Sequence, residues 1–117
     1  MSVLKEKIKA AQDVRSQKVT IPEWDVTIEV RTMTALDRAK LLKTCVEKDG
    51  SMITEKFQAG LIIASVFDPE TGEKVFTDED YELLMSKAAG VIESLATVSM
   101  GISGLTKDAM TAAEKNS

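Results

Sequence analysis

Asp68, Glu70, Glu73, Asp78, Glu79, Asp80 and Glu82 are the densest set of reactive side chains in the chain. Carboxylates at short spacing can ligate calcium, but an EF-hand loop needs glycine at its sixth position for the sharp turn. A loop begun at Asp68 has Glu73 there and Gly72 one place early, so the register excludes that site. The same residues suit a polar turn followed by a helix start, where acids meet the positive end of the helix dipole. Histidine is absent. That removes Ser/His and Cys/His nucleophile pairs, the usual transition-metal ligands and the side chain best poised for proton transfer at neutral pH. Cys45 is the lone cysteine, so it has no disulfide partner within the chain, which suits a reducing compartment. Lying in a helical pattern with nothing to activate it, it reads as a packing or surface residue. The glycines do not form a phosphate loop, and Ser99, Ser103 and their neighbouring glycines do not form a Gly-x-Ser-x-Gly elbow. A small hydrolase or metal-dependent enzyme is set aside on these grounds: no catalytic residue, metal ligand or cofactor site is expected.

The acidic stretch must be positioned by the apolar one before it. Ile53, Phe57, Leu61, Ala64 and Phe67 recur at helical spacing, with Ile62, Ile63 and Val66 extending the apolar surface most of the way round. Such a helix has to be buried, and it is expected to run until Asp68-Pro69 forbids continuation. Pro69-Glu70-Thr71-Gly72 then reads as a turn, Lys74-Val75-Phe76 as a short returning strand, and Thr77 as the cap of the next helix. That helix is expected from Asp78 to about Met100. Leu84, Ala88, Val91, Leu95, Val98, Ile102 and Leu105 alternate spacings of four and three, a seam of period 3.5. Gly101 and Gly104 are expected to end it, and Thr106 to cap a last short helix through Ala113.

Upstream, Leu4, Ile8 and Ala11 suggest a weakly amphipathic helix over residues 3 to 16, or a mobile arm. Lys18 to Ile21 and Val26 to Val30 alternate as strands around Pro22-Glu23-Trp24-Asp25, giving a hairpin with the only tryptophan in its loop. Trp24 either covers the open face of the hairpin or anchors a partner. Thr34-Ala35-Leu36-Asp37 starts an amphipathic helix expected to continue to Asp49-Gly50, and Ser51 or Thr54 is expected to cap the central helix.

At 117 residues and 44% apolar composition, the chain reads as one domain with a single core. The expected class is α+β: a small antiparallel hairpin on a predominantly helical bundle. The formal net charge of −4 argues against non-specific attraction to nucleic acid or anionic membrane. No apolar run is long enough to span a bilayer, and no signal-peptide core is seen at the N-terminus. Methionines 33, 52, 85, 100 and 110 read as flexible core filler.

From Leu4 to Asn116 the order of features resembles the tail assembly chaperones of long-tailed bacteriophages, the lambda-like and HK97-like family. The resemblance is carried by Ala10-Ala11-Gln12-Asp13 and by Val19-Thr20-Ile21-Pro22-Glu23-Trp24 with the strand from Val26 to Arg31. It continues in Thr34-Ala35-Leu36-Asp37-Arg38, and in Ser65-Val66-Phe67-Asp68 leading through Gly72 to Val75-Phe76-Thr77-Asp78-Glu79-Asp80. The ending, Gly104-Leu105-Thr106-Lys107-Asp108 with Glu114-Lys115-Asn116, belongs to the same pattern. These are turns and caps, and their order and spacing carry the specificity.

The resemblance implies one tail-assembly-chaperone domain over residues 1–117, with an N-terminal helix or arm over 1–17 and a short helix and polar tail over 106–117. It implies a factor of the host cytoplasm, absent from the mature virion, that coats the tape measure protein and keeps it soluble. A longer product of ribosomal frameshifting would recruit the major tail protein. No nucleic acid or membrane partner is implied, and a homo-oligomer stays open. Trp24 and the seam residues Val91, Leu95, Val98 and Ile102 are the candidate partner-binding side chains. The competing reading is a structural virion component, such as a head-completion or tail-terminator subunit, which mass spectrometry of purified virions would detect in fixed copy number.

Overall fold

The computed structural model describes residues 2–104. The expected helix after Thr106, the fold-back of Leu105, Met110 and the polar tail lie outside the described residues.

The first helix, α1 (Val3–Ala10), is capped by Ser2 and buries none of its side chains. The hairpin follows as β1 (Ser16–Ile21) and β2 (Val26–Arg31), joined by a 3-10 turn over Pro22–Trp24. Asp25 closes that turn in the left-handed region at φ 53°, a conformation that aspartate tolerates better than most side chains. Antiparallel pairing puts Val19 opposite Ile28 and Ile21 opposite Val26. Ile21, Ile28 and Val30 are buried, as the alternation of the sequence requires.

Thr34 caps α2 (Ala35–Cys45), its hydroxyl accepting from the amide of Asp37 at 3.2 Å. The helix stops at Cys45, five residues short of the expected Gly50. Val46 pairs with Met52 as an antiparallel bridge, the amide of Glu47 reaches the carbonyl of Ser51, and Gly50 at φ 89° makes the reversal between them. Gly50 thus serves a hairpin turn rather than a helix stop. The Ser51 hydroxyl and amide both donate to Asp49, holding that carboxylate below its ordinary range.

The central helix, α3 (Thr54–Ser65), has Ile53 at its cap position and no side-chain cap, so neither Ser51 nor Thr54 plays that part. It ends at Ser65, four residues before Pro69. Val66–Phe67 is already extended as β3, paired with Val30 and Glu29 of β2. The backbone of Val66 and Phe67 thereby finds its partners in a sheet instead of in a further helical turn. The hairpin becomes a three-stranded antiparallel sheet with β2 in the middle. The Pro69–Gly72 turn forms as expected, with Gly72 at φ 76° and its amide bonded to the carbonyl of Asp68 at 2.8 Å. The returning strand, by contrast, shrinks to one bridge between Lys74 and Phe67.

Thr77 and Asp80 close a capping pair, the Thr77 amide donating to Asp80 Oδ2 at 2.8 Å. The single long helix expected next is two: α4 (Tyr81–Met85), entered through a 3-10 turn at Asp78–Asp80, and α5 (Ala89–Ile102). Ser86 turns its hydroxyl onto the carbonyl of Leu83 at 2.6 Å, and Ala88 takes extended angles and is exposed. A serine bonded to its own backbone competes with the helical ladder, and a seam defined by spacing alone is blind to that competition. Gly101 remains inside α5. Its stop is Gly104, at φ 71°.

The protein is α+β, with five helices and this sheet among the described residues. Helix α3 divides its apolar surface between two clusters. Ala59 and Ile62 join Ile21, Ile28, Val30, Val66, Leu84, Val91, Ile92 and Leu95 on the sheet side. Phe57 and Leu61 join Met33, Leu41, Cys45 and Ala96 on the α2 side. This is why α3 is apolar nearly all round. Gly60 lies where α2 crosses, and a β-carbon there would collide with Cδ1 of Leu41. Between α3 and α5, the buried hydroxyls of Ser65 and Ser99 bond each other at 2.8 Å and share the carbonyl of Leu61, which removes the cost of burying them. Met33 is buried, and Met52, Met85 and Met100 pack at the edges of the clusters, consistent with filler.

The end of α5 is tied to the link between β2 and α2. Ser103 Oγ accepts from the amide of Met33 at 3.0 Å, and Arg38 donates to the Ser103 carbonyl at 3.0 Å. The guanidinium sits at the negative end of the α5 dipole, where a cation is stabilised.

Candidate functional site

Trp24 is half-buried at the tip of the hairpin and packs against the sheet-side cluster, so it does cover the core. Its other surface forms one wall of a groove of about 780 Å³. The groove runs between the hairpin and the segment from Asp68 to Lys87, and its floor and walls are Val26, Ile28, Pro69, Val75, Phe76, Leu83 and Leu84. Val26 is 43% exposed, Val75 44% and Leu83 47%. Three large apolar side chains left open beside a tryptophan form the kind of contiguous apolar concavity that marks an interaction surface.

Three local features make the groove. The 3-10 turn over Pro22–Trp24 places Trp24 at the tip of the hairpin. The turn at Pro69–Gly72 brings the chain back beside β3, the Val75 amide donating to the carbonyl of Val66 at 3.2 Å. In α4 Leu84 is set into the core and its neighbour Leu83 is left facing out. Lys18, Lys87, Asp68 and Glu70 form the polar rim. The rim charges balance, two lysines against two carboxylates, so the groove itself carries no strong field of either sign.

The seam residues fall elsewhere. Val91 and Leu95 are buried in the sheet-side cluster, and Val98 and Ile102 are half-buried against it. Val91, Leu95 and Val98 do reach a shallower hollow of about 400 Å³ between α5 and β1, lined also by Val19, Pro22 and Glu23. Trp24 and the candidates Val91, Leu95, Val98 and Ile102 therefore do not share a surface, although Leu84, at the head of the seam, does line the groove. Val26, Val75 and Leu83 were not among the candidates from sequence. Leu83 stands off the 3.5-residue seam, and of the three it is the one whose spacing signals an outward face.

Nothing at the groove is arranged for covalent chemistry. Among the described residues no group of three or more histidine, cysteine or acidic side chains is placed to hold a metal ion, and no helix is long and apolar enough to cross a membrane. Cys45 is fully buried in the α2-side cluster, and burial pushes its thiol up from the ordinary value. The thiol is thus kept protonated and out of reach, the opposite of what a nucleophile needs.

Residues 3–116 match the model of a family described as phage tail assembly chaperone. Among solved structures, the tail assembly chaperone of bacteriophage HK97 is similar in fold at 16% identity, with a TM-score of 0.56 over 86% of this chain and 98% of that one. No curated protein matches the sequence.

Proposed function

The chain belongs to the phage tail assembly chaperone family, and from that premise we propose that it is a non-enzymatic factor that binds the tape measure protein and keeps it soluble until the tail is built. The observation that carries this reading is the open apolar groove at Trp24. A long helical protein waiting to be enclosed exposes apolar stripes, and a groove of this kind takes the apolar face of a helix by burying anchors spaced at three and four residues. The proposed action is shielding. The groove covers surface that would otherwise aggregate and gives it up when polymerisation covers it instead. The reading includes residence in the host cytoplasm and absence from the finished virion.

Co-expression with its tape measure protein is expected to raise that protein's soluble fraction and to give a complex by pull-down. No change in solubility together with no complex would count heavily against the proposal. Leu83→Glu locates the contact: because Leu83 is half-exposed, stability should change by less than about 1 kcal/mol while binding weakens by roughly 2 kcal/mol or more. Trp24→Ala should do both, lowering stability by about 2 kcal/mol and weakening the complex, since the indole is shared between core and groove.

The proposal extends to a longer product that recruits the major tail protein. Glu114-Lys115-Asn116 can be encoded as GAA-AAA-AAC, which contains the heptamer A-AAA-AAC, on which paired tRNAs can slip back one base. The gene is expected to carry that heptamer, with an open −1 frame beyond the codon of Ser117. A different codon set there, an early stop in the −1 frame and a single band on a blot would remove the frameshift while leaving the chaperone reading in place.

A further inference from the structure

A separate hollow of about 420 Å³ lies on α2, lined by Met33, Thr34, Ala35, Arg38, Ala39 and Leu42. It shares no residue with the Trp24 groove. Ala35, Arg38, Ala39 and Leu42 stand three and four residues apart in turn, so they form one face of the helix. Met33 belongs to the α2-side cluster, and Leu42 and Met100 pack against it. The end of α5 is pinned at this hollow by two of its lining residues: the Met33 amide donates to Ser103 Oγ and Arg38 donates to the Ser103 carbonyl, each at 3.0 Å. The Thr32 hydroxyl adds a third bond, to the Ile102 carbonyl at 3.3 Å.

The described chain leaves α5 at that point. Ser103 is the cap, Gly104 follows at φ 71°, and the Gly104 amide bonds the carbonyl of Gly101 at 3.3 Å. A helix stopped by a left-handed glycine in this way turns the chain back, and an apolar residue after the glycine packs on the one three places before the cap. Those two residues are Leu105 and Met100. We propose that residues 105–113 of the same copy cover the α2 hollow, with Leu105 against Met100, and Ala109 and Met110 against Ala39 and Leu42. Leu105, Ala109 and Ala112 repeat at four and then three residues, the spacing that one helix offers to another. The lengths agree: Ala35 to Leu42 spans about 10 Å along α2, and the helix expected from Thr106 through Ala113 is about 12 Å long. The tether decides the occupant. A segment joined directly to the rim meets the hollow at an effective concentration that a second copy does not reach in dilute solution. This inference does not rest on tape measure binding, and the experiment contains no tape measure protein.

A helix this short is not stable by itself in water, so slow hydrogen exchange within it reports packing. In the full chain the amides of residues 107–113 should exchange at least tenfold more slowly than in the same segment as a free peptide. That protection should be the same from about 1 to 100 µM protein, as for a contact within one copy. Ala39→Glu places a carboxylate in the hollow at an exposed position of α2, so circular dichroism should keep the wild-type fold. Exchange of residues 107–113 should then rise to the free-peptide rate while that of α3 and α5 stays slow. Met110→Glu, the matching change in the covering segment, should do the same. Exchange of residues 107–113 at the free-peptide rate in the wild-type chain overturns the proposal. So does protection that survives either variant, which would mean that the segment is covered elsewhere, or protection that grows with concentration, which would put a second copy in the hollow.

Discussion

Leu61→Ala is expected to lower the stability of the domain by about 3 to 5 kcal/mol. Leu61 is completely buried in the α2-side cluster, between Phe57, Leu41 and Ala96. Its neighbour Gly60 lies against Cδ1 of Leu41 where α2 packs on α3. Where a contact has already been closed down to a missing side chain, the helices cannot collapse further to fill the space a leucine leaves, and the cavity term stays near its upper range. A loss of that size is a large share of the roughly 5 to 15 kcal/mol that a domain of this size has in total. Urea unfolding should show the midpoint falling with the slope unchanged. A loss below about 1.5 kcal/mol would mean that α2 is held some other way.

Val91→Asp is expected to unfold the domain, and Val98→Asp is not. From spacing alone the two valines are equivalent positions of one seam. In the structure Val91 is 9% exposed within the cluster that joins the sheet to α3 and α5, whereas Val98 is half-buried at its margin beside Val19. A carboxylate at position 91 would lose water without gaining a partner, at a cost of several kcal/mol, while one at position 98 can turn its oxygens to solvent and should cost about 1 to 2 kcal/mol. Circular dichroism and thermal melting of the two variants decide the matter. A folded, soluble Val91→Asp protein that had lost its partner would return the seam to the status of a binding surface.

The sequence by itself determined whatever depends on near neighbours. Alternation placed Ile28 and Val30 inward, Thr34 announced the start of α2, and Pro69 with Gly72 announced a turn, because each of these is settled by dihedral limits or hydrogen bonds within a few residues. The order of such local features also carried the family resemblance over nearly the whole chain, and residues 3–116 match that family's model.

What only the tertiary structure decided is the competition between local continuation and distant pairing. Helical spacing favoured carrying α3 through Phe67, yet Val66–Phe67 found the free edge of β2, some 37 residues earlier in the chain, and became a strand. The seam favoured one helix from Asp78 to Met100, yet Ser86 and Ala88 broke it into α4 and α5. The groove itself joins Trp24, Val75 and Leu83, which share no periodicity because they come from three separate segments. A surface assembled across the sheet in this way has no signature in spacing. Its apolar residues look like core in the sequence, and only the arrangement of the elements around them leaves them uncovered.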